Sequence, residues 1–189
     1  MKQRLFIALS LSENAKALLQ RYQDNLKKQL RDVKVTWVKP ATMHLTLIFL
    51  GQTSTKQEEL ERAVQFAVRR IKPFSLTHGT IGAFPSFSRP SVLWLGVDGD
   101  LQILSALHEN LEQSLEGFYK PDGRAYKPHL TLGRIKTFGQ GDKIGDALMN
   151  LELQEKLSWQ VKSVELYSSK LTAAGAQYTL LYKEPLAID

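Results

Sequence analysis

The chain has 189 residues, of which 43% are hydrophobic and 23% charged, with a net charge of +6 and a pI near 9.5; this is the balance of a soluble globular domain, not of a disordered segment. No apolar run approaches the ~20 residues of a membrane span, and the start MKQRLFIALSLSENAK has neither a long apolar stretch nor a small-residue cleavage site, so a cytoplasmic, membrane-free protein is expected. The absence of cysteine excludes disulfides and thiol nucleophiles and removes the usual zinc-ligand patterns; the Lys and Arg residues are spread along the chain, which suits either a solvated surface or a field that attracts phosphates.

The stretch RLFIALS at 4–10 reads as a buried strand, and Ser10 with Glu13 forms a capping-box pattern for the next segment. Ala15, Leu18, Leu19, Tyr22, Leu26 and Leu30 then recur at helical spacing. VTWVKP leads into the strand HLTLIFL from His44 to Leu50, and Leu60, Ala63, Val64, Ala67, Val68 and Ile71 line a second helix that ends before Pro73. FSLTHGTIG at 74–82 is a further strand.

The same order then recurs. SVLWLGV at 91–97 is a strand, Asp100 is a helix N-cap candidate, and Leu101, Leu104, Leu107, Leu111 and Leu115 form a helical stripe. YKPHLTLGRI at 126–135 answers VKPATMHLTLIFL, a weaker helix occupies about 142–151, and SWQVKSVELYS at 158–168 closes the repeat. The interval from Leu5 to His44 is 39 residues and from Leu93 to His129 is 36. Two copies are too few for a stacked array. They predict an α+β fold of two pseudo-twofold-related lobes, roughly 1–88 and 89–189 of a single domain. Each lobe is a largely antiparallel sheet with helices outside, and a cleft lies between them.

Side chains alternate along a strand, so His44 and Thr46 share one face while Leu45 and Leu47 share the other, and likewise for His129 and Thr131. Across a cleft, two such pairs supply two proton-transfer groups and two hydroxyl donors around one space. That set suits in-line displacement at phosphorus, one imidazole acting as base and the other as acid, with hydroxyls on the non-bridging oxygens. Neither motif carries a carboxylate or thiol beside its histidine, so no metal or other cofactor is expected.

Two HxTx motifs in a duplicated chain of this size resemble the two-histidine (2H) phosphoesterase superfamily. HLTLIFLG, GAFPSFSRPSVLWLGV, KPHLTLGR and SSKLTAAGAQYTLL, in that order, are similar to RNA 2',3'-cyclic phosphodiesterases, also called 2'-5' RNA ligases. The resemblance implies hydrolysis of the 2',3'-cyclic phosphate of an RNA or nucleotide to a 2'-phosphate, and ATP-independent, reversible formation of 2'-5' linkages. It implies His44 as proton donor to the leaving 3' oxygen, His129 as proton acceptor from water, and Thr46 and Thr131 as phosphate ligands. Arg134 matches a basic position near the phosphate, but strict alternation puts it opposite His129, so this role requires a bulge, for which Gly133 is the available cause. The alternatives are hydrolysis of 2'-5' oligonucleotides or of small cyclic phosphates, and a nucleotide- or RNA-binding module without turnover. A monomer is expected.

Other residues receive plainer readings. Phe49 alternates with Leu45 and Leu47 and is expected in the core, as are Trp37, Trp94 and Trp159. His78 and His108 are read as structural or surface residues. GQGDKIGD at 139–146 lacks the spacing of a phosphate loop and reads as a loop and helix start.

Overall fold

The computed structural model describes residues 2–121, 123–136, 139–153, 158–172 and 175–187. In chain order, β1 (Gln3–Ser10) is followed by α1 (Glu13–Gln29), β2 (Val35–Trp37), a 3-10 turn over Pro40–Thr42, β3 (His44–Thr53), α2 (Gln57–Val68) and β4 (Phe74–Phe84). Then come β5 (Val92–Gly99), α3 (Leu101–Ser114), β6 (His129–Ile135), α4 (Gly141–Met149), β7 (Ser158–Val161), β8 (Ser163–Thr172) and β9 (Gly175–Pro185). No helix among the described residues is long and apolar enough to cross a membrane.

The strands form one antiparallel sheet in the order β7-β4-β5-β6-β3-β1-β8-β9, with β2 paired to β6. The order is a palindrome of roles. Its two centre strands carry the HLTL words, each flanked by the opening strand of its own repeat, β1 or β5, and then by the closing strand of the other, β8 or β4. Helices follow the same exchange: α1 lies on the β4–β6 side, where Tyr22 meets His78 of β4 and Gln23 meets Leu132 of β6, while α2 and α3 pack together against β3, β8 and β9. Each half of the α+β sheet therefore contains strands from both repeats. The connection at 85–91 is short enough to close an antiparallel pair, so β4 stays with β5. Its counterpart β8 pairs with β1.

The N-cap of α1 is Ser12, whose hydroxyl accepts from the Ala15 amide at 3.2 Å. Ser10 instead remains in β1, and both its amide and its hydroxyl donate to the buried Glu165 carboxylate, at 3.0 and 3.1 Å. A charged acceptor delivered from β8 outcompetes the local capping box. Asp100 does cap α3 by position, but its carboxylate accepts from the Ser75 amide at 2.8 Å rather than from the helix. The apolar stripes of the four helices are buried, except for Leu101 at the start of α3, and with the leucines of both HLTL words they form a continuous core beneath the sheet.

Two bulges matter most for the site. In the β1–β3 pair, Ala8 faces Thr46 and Ile7 faces Ile48, so Leu47 is extra. In the β5–β6 pair, Trp94 faces Thr131 and Leu93 faces Gly133, so Leu132 is extra. An extra residue shifts the alternation by one, and every later side chain changes face. The Leu132 carbonyl at the second bulge is held by the Val38 amide at 3.0 Å and by the buried Gln23 amide group at 2.7 Å. A Cβ on Gly133 would lie 2.8 Å from Val35 Cγ1 and 3.1 Å from Trp37 Cε3. Glycine is what lets β2 approach this closely.

Candidate active site

The centre strands touch through a single bridge pair, Leu45 with Leu130. Extending that register one residue each way sets His44 beside Thr131 and Thr46 beside His129, all on the face opposite the buried leucines. The repeated word thus becomes a two-by-two array of imidazoles and hydroxyls.

Both imidazoles are oriented in the same manner. His44 Nδ1 lies 2.8 Å from the Thr42 carbonyl, and His129 Nδ1 lies 2.7 Å from the Lys127 carbonyl. A carbonyl can only accept, so Nδ1 carries the proton in each neutral ring, and Nε2 is left as the nitrogen that takes or gives one. The supporting carbonyl belongs in each case to the residue two positions before the histidine. In the first repeat the 3-10 turn presents it; in the second, Pro128 holds the preceding residue extended.

Burial is the main force on both rings, and it holds their pKa values below the usual histidine range. The backbone hydrogen bonds oppose this in part. Positive charge adds to the lowering, from His129 at His44 and from Arg134 at His129. The guanidinium thus biases His129 toward the neutral, proton-accepting form.

Arg134 reaches this position because of the bulge at Leu132: it pairs with Val92 on the His129 face, the condition that strict alternation denied it. The same shift at Leu47 overturns the core reading of Phe49. Phe49 is 52% exposed, and its ring stacks on Phe6 at 5.8 Å and carries the Arg4 guanidinium 5.8 Å from its centroid. Arg134 and Phe49 occupy equivalent places in the two repeats, five residues after each histidine.

Aromatic side chains form the walls. Buried Phe6 lies 4.8 Å from His44, 5.3 Å from Tyr167 and 4.9 Å from Tyr178, ring centre to ring centre, and Tyr178 is 5.3 Å from His44. On the other side Phe84 stands edge-on to His129 at 4.9 Å, and Trp94 lies 6.2 Å from it. Trp94 therefore lines the site instead of filling the core; the space above Gly82 admits its indole, where a Cβ would come within 2.3 Å. Trp159 is buried and Trp37 packs partly buried against the core, as expected. Arg4, Phe6, Phe84, Tyr167 and Tyr178 were not singled out from the sequence. For Tyr178 the signal was present: Gly175 precedes an alternating run that makes a hairpin strand.

His78 and His108 lie outside this set and are buried. Tyr22 meets His78 at 3.5 Å, and His108 stacks on Tyr126 at 3.9 Å. Among the described residues no group of three His, Cys, Asp or Glu side chains is arranged to hold a metal ion.

Residues 11–172 match the model of the 2'-5' RNA ligase superfamily. The chain is 35% identical to an RNA 2',3'-cyclic phosphodiesterase of Methanothermobacter thermautotrophicus, over 95% of this chain and 96% of the relative. It is 30% identical to one of Thermotoga maritima, over 95% and 94%. Among solved structures, E. coli LigT complexed with 3'-AMP superposes with a TM-score of 0.70 at 26% identity, covering 100% of both chains.

Proposed function

The chain belongs to the 2'-5' RNA ligase superfamily, and from that premise we propose that it is an enzyme that opens 2',3'-cyclic phosphates of RNA or nucleotides to 2'-phosphates. The observation that carries this reading is the pair of imidazoles on one face, each with Nδ1 tied to a backbone carbonyl and each beside a threonine hydroxyl. Two such groups can serve the entering and the leaving oxygen of one displacement.

In the forward direction, His129 Nε2 takes a proton from water as its oxygen bonds to phosphorus. The bond from phosphorus to the 3' oxygen breaks, and His44 Nε2 donates the proton that this oxygen needs. The product keeps phosphate on the 2' oxygen and a free 3' hydroxyl. Burial, with a smaller contribution from the Arg134 charge, lowers the His129 pKa and favours its neutral form, and His44 supplies the acid in the protonated fraction. Thr46 and Thr131 donate to the non-bridging oxygens, and the Arg134 guanidinium offsets the charge that grows there. No step calls for a metal. With a 5' hydroxyl in place of water the same groups keep their roles. His129 takes the hydroxyl proton as the 5' oxygen bonds to phosphorus, the bond to the 3' oxygen breaks, and His44 protonates it, which joins RNA through a 2'-5' linkage without ATP. The roles exchange when that linkage is cleaved back to the cyclic phosphate. The net charge of +6 assists the approach of RNA, and binding should weaken as salt rises.

The decisive experiment incubates the protein with nucleoside 2',3'-cyclic phosphates in EDTA and identifies the product isomer. A 2'-phosphate formed by the parent protein and lost in His44→Ala and His129→Ala is expected. A 3'-phosphate product, or full activity in either variant, overturns the mechanism.

A further inference from the structure

The two active strands meet at one bridge pair, so little of the sheet itself fixes the distance between Thr46 and His129. A side chain from outside the sheet makes a second link. Tyr126, three residues before His129, donates its hydroxyl to the Thr46 carbonyl at 3.2 Å. Its ring is stacked face to face on His108 of α3, with centroids 3.9 Å apart and planes within 10°. Glu112, one turn further along α3, lies 3.7 Å from His108 Nδ1. Burial raises the Tyr126 pKa, so the phenol stays protonated and remains a donor. The repeat has no counterpart: three residues before His44 stands Ala41. The link therefore belongs to one side of the pseudo-symmetric cleft.

We propose that Tyr126 is a positioning residue that, braced by His108, holds Thr46 at the distance from His129 at which one phosphate can engage both. It does not touch the substrate; it acts through the backbone of the residue that does. This rests on the reading of Thr46 as a phosphate ligand given above.

Tyr126→Phe deletes only the hydroxyl and keeps the stack. With a 2',3'-cyclic nucleotide as substrate, kcat/KM should fall roughly 3- to 10-fold, the worth of one hydrogen bond, with the loss mainly in kcat. A residue serving stability alone would shift the melting temperature and leave kcat and KM untouched. Thr46→Ala and the Tyr126→Phe/Thr46→Ala double variant complete the test. If Tyr126 acts through Thr46, the double variant is no worse than Thr46→Ala; fully additive losses, or parental kinetics in Tyr126→Phe, overturn the proposal. Inorganic phosphate affinity measured on the same four proteins separates this inference from the assigned reaction. Should the parent protein leave cyclic phosphates intact, that reaction falls. Weaker phosphate binding in Tyr126→Phe, absent in the Thr46→Ala background, would still support the link, and unchanged binding would refute it.

Discussion

Gly133 sits where β2, the bulge in β6 and Arg134 depend on one another, so Gly133→Ala is a sharp perturbation. Its backbone does not occupy the left-handed region, and the effect is steric: the new methyl would stand 2.8 Å from Val35 Cγ1 and 3.1 Å from Trp37 Cε3. Overpacking of this kind costs about 1–3 kcal/mol. For a chain of this size each kcal/mol lowers the melting temperature by roughly 2–4 °C, so a fall of about 4–8 °C is expected for a mid-range cost. Val35→Ala removes the nearer of the two obstructing atoms and by itself costs about 1 kcal/mol, because Val35 is only half-buried. Thermal or urea unfolding of both single variants and the double should therefore show a favourable coupling of about 1 kcal/mol. The kinetics should follow, since displacing β2 disturbs the strand segment that delivers Arg134 to the His129 face. Strict additivity of the two substitutions, or a Gly133→Ala protein as stable and active as the parent, would refute the argument that close approach of β2 requires glycine here.

Replacing either catalytic imidazole, in His44→Ala or His129→Ala, should lower kcat by about 10²–10⁴; the double variant should fall little further, because the two groups act as a unit. Steady-state rates on a cyclic nucleotide read this directly, and independent, multiplying losses would contradict it. Since burial depresses both pKa values, the form with one neutral and one protonated ring is most populated below pH ~6.5, so kcat/KM should peak on that acid side; an optimum well above neutrality would count against the paired roles. The same depression sets the pH dependence of stability. A histidine whose folded pKa lies below its unfolded value stabilises the fold above the unfolded pKa, and that contribution is lost as pH falls through the folded value. His44, His129 and His108 all shift in this direction, so the urea midpoint should decline as pH drops below ~6.5, and less so in a His108→Phe variant. Glu165→Leu strands the Ser10 amide and the hydroxyls of Ser10 and Ser163, which now donate to one carboxylate; a loss of about 2–4 kcal/mol is expected, and an unchanged unfolding midpoint would contradict it.

The parts of the site legible in the sequence are those governed by short-range geometry. His44 with Thr46, and His129 with Thr131, stand two residues apart in a strand, so alternation alone places each pair on one face and its leucines on the other. Beyond each threonine the rule fails, since the bulges at Leu47 and Leu132 reset the parity. That is why Phe49 emerges into the site and Arg134 can join it. The bulge in β6 rests on contacts far away in the chain, the Gln23 amide and the Val38 backbone, which no local pattern reveals. Ser10 teaches the same lesson: its capping box is sound locally, but a carboxylate 155 residues away takes its donors. Strand exchange was hidden for a different reason. A repeat announces equal units without saying which copy supplies the partner of each strand, and the short β4–β5 connection decides that.

Exchange of closing strands also sets an order in time. β1 is made well before its outer neighbour β8, with 155 residues separating Ser10 from the Glu165 that secures it. Until then the Phe6 strand has one bare flank, and the wall bearing Tyr167 and Tyr178 does not exist. Pairing over such distances is slow, and unpaired strands are prone to stick to one another. The nascent chain therefore carries an exposed strand edge until the β8–β9 hairpin pairs with it. The aromatic wall beside His44 arrives only with that hairpin, long after β3 itself has been made.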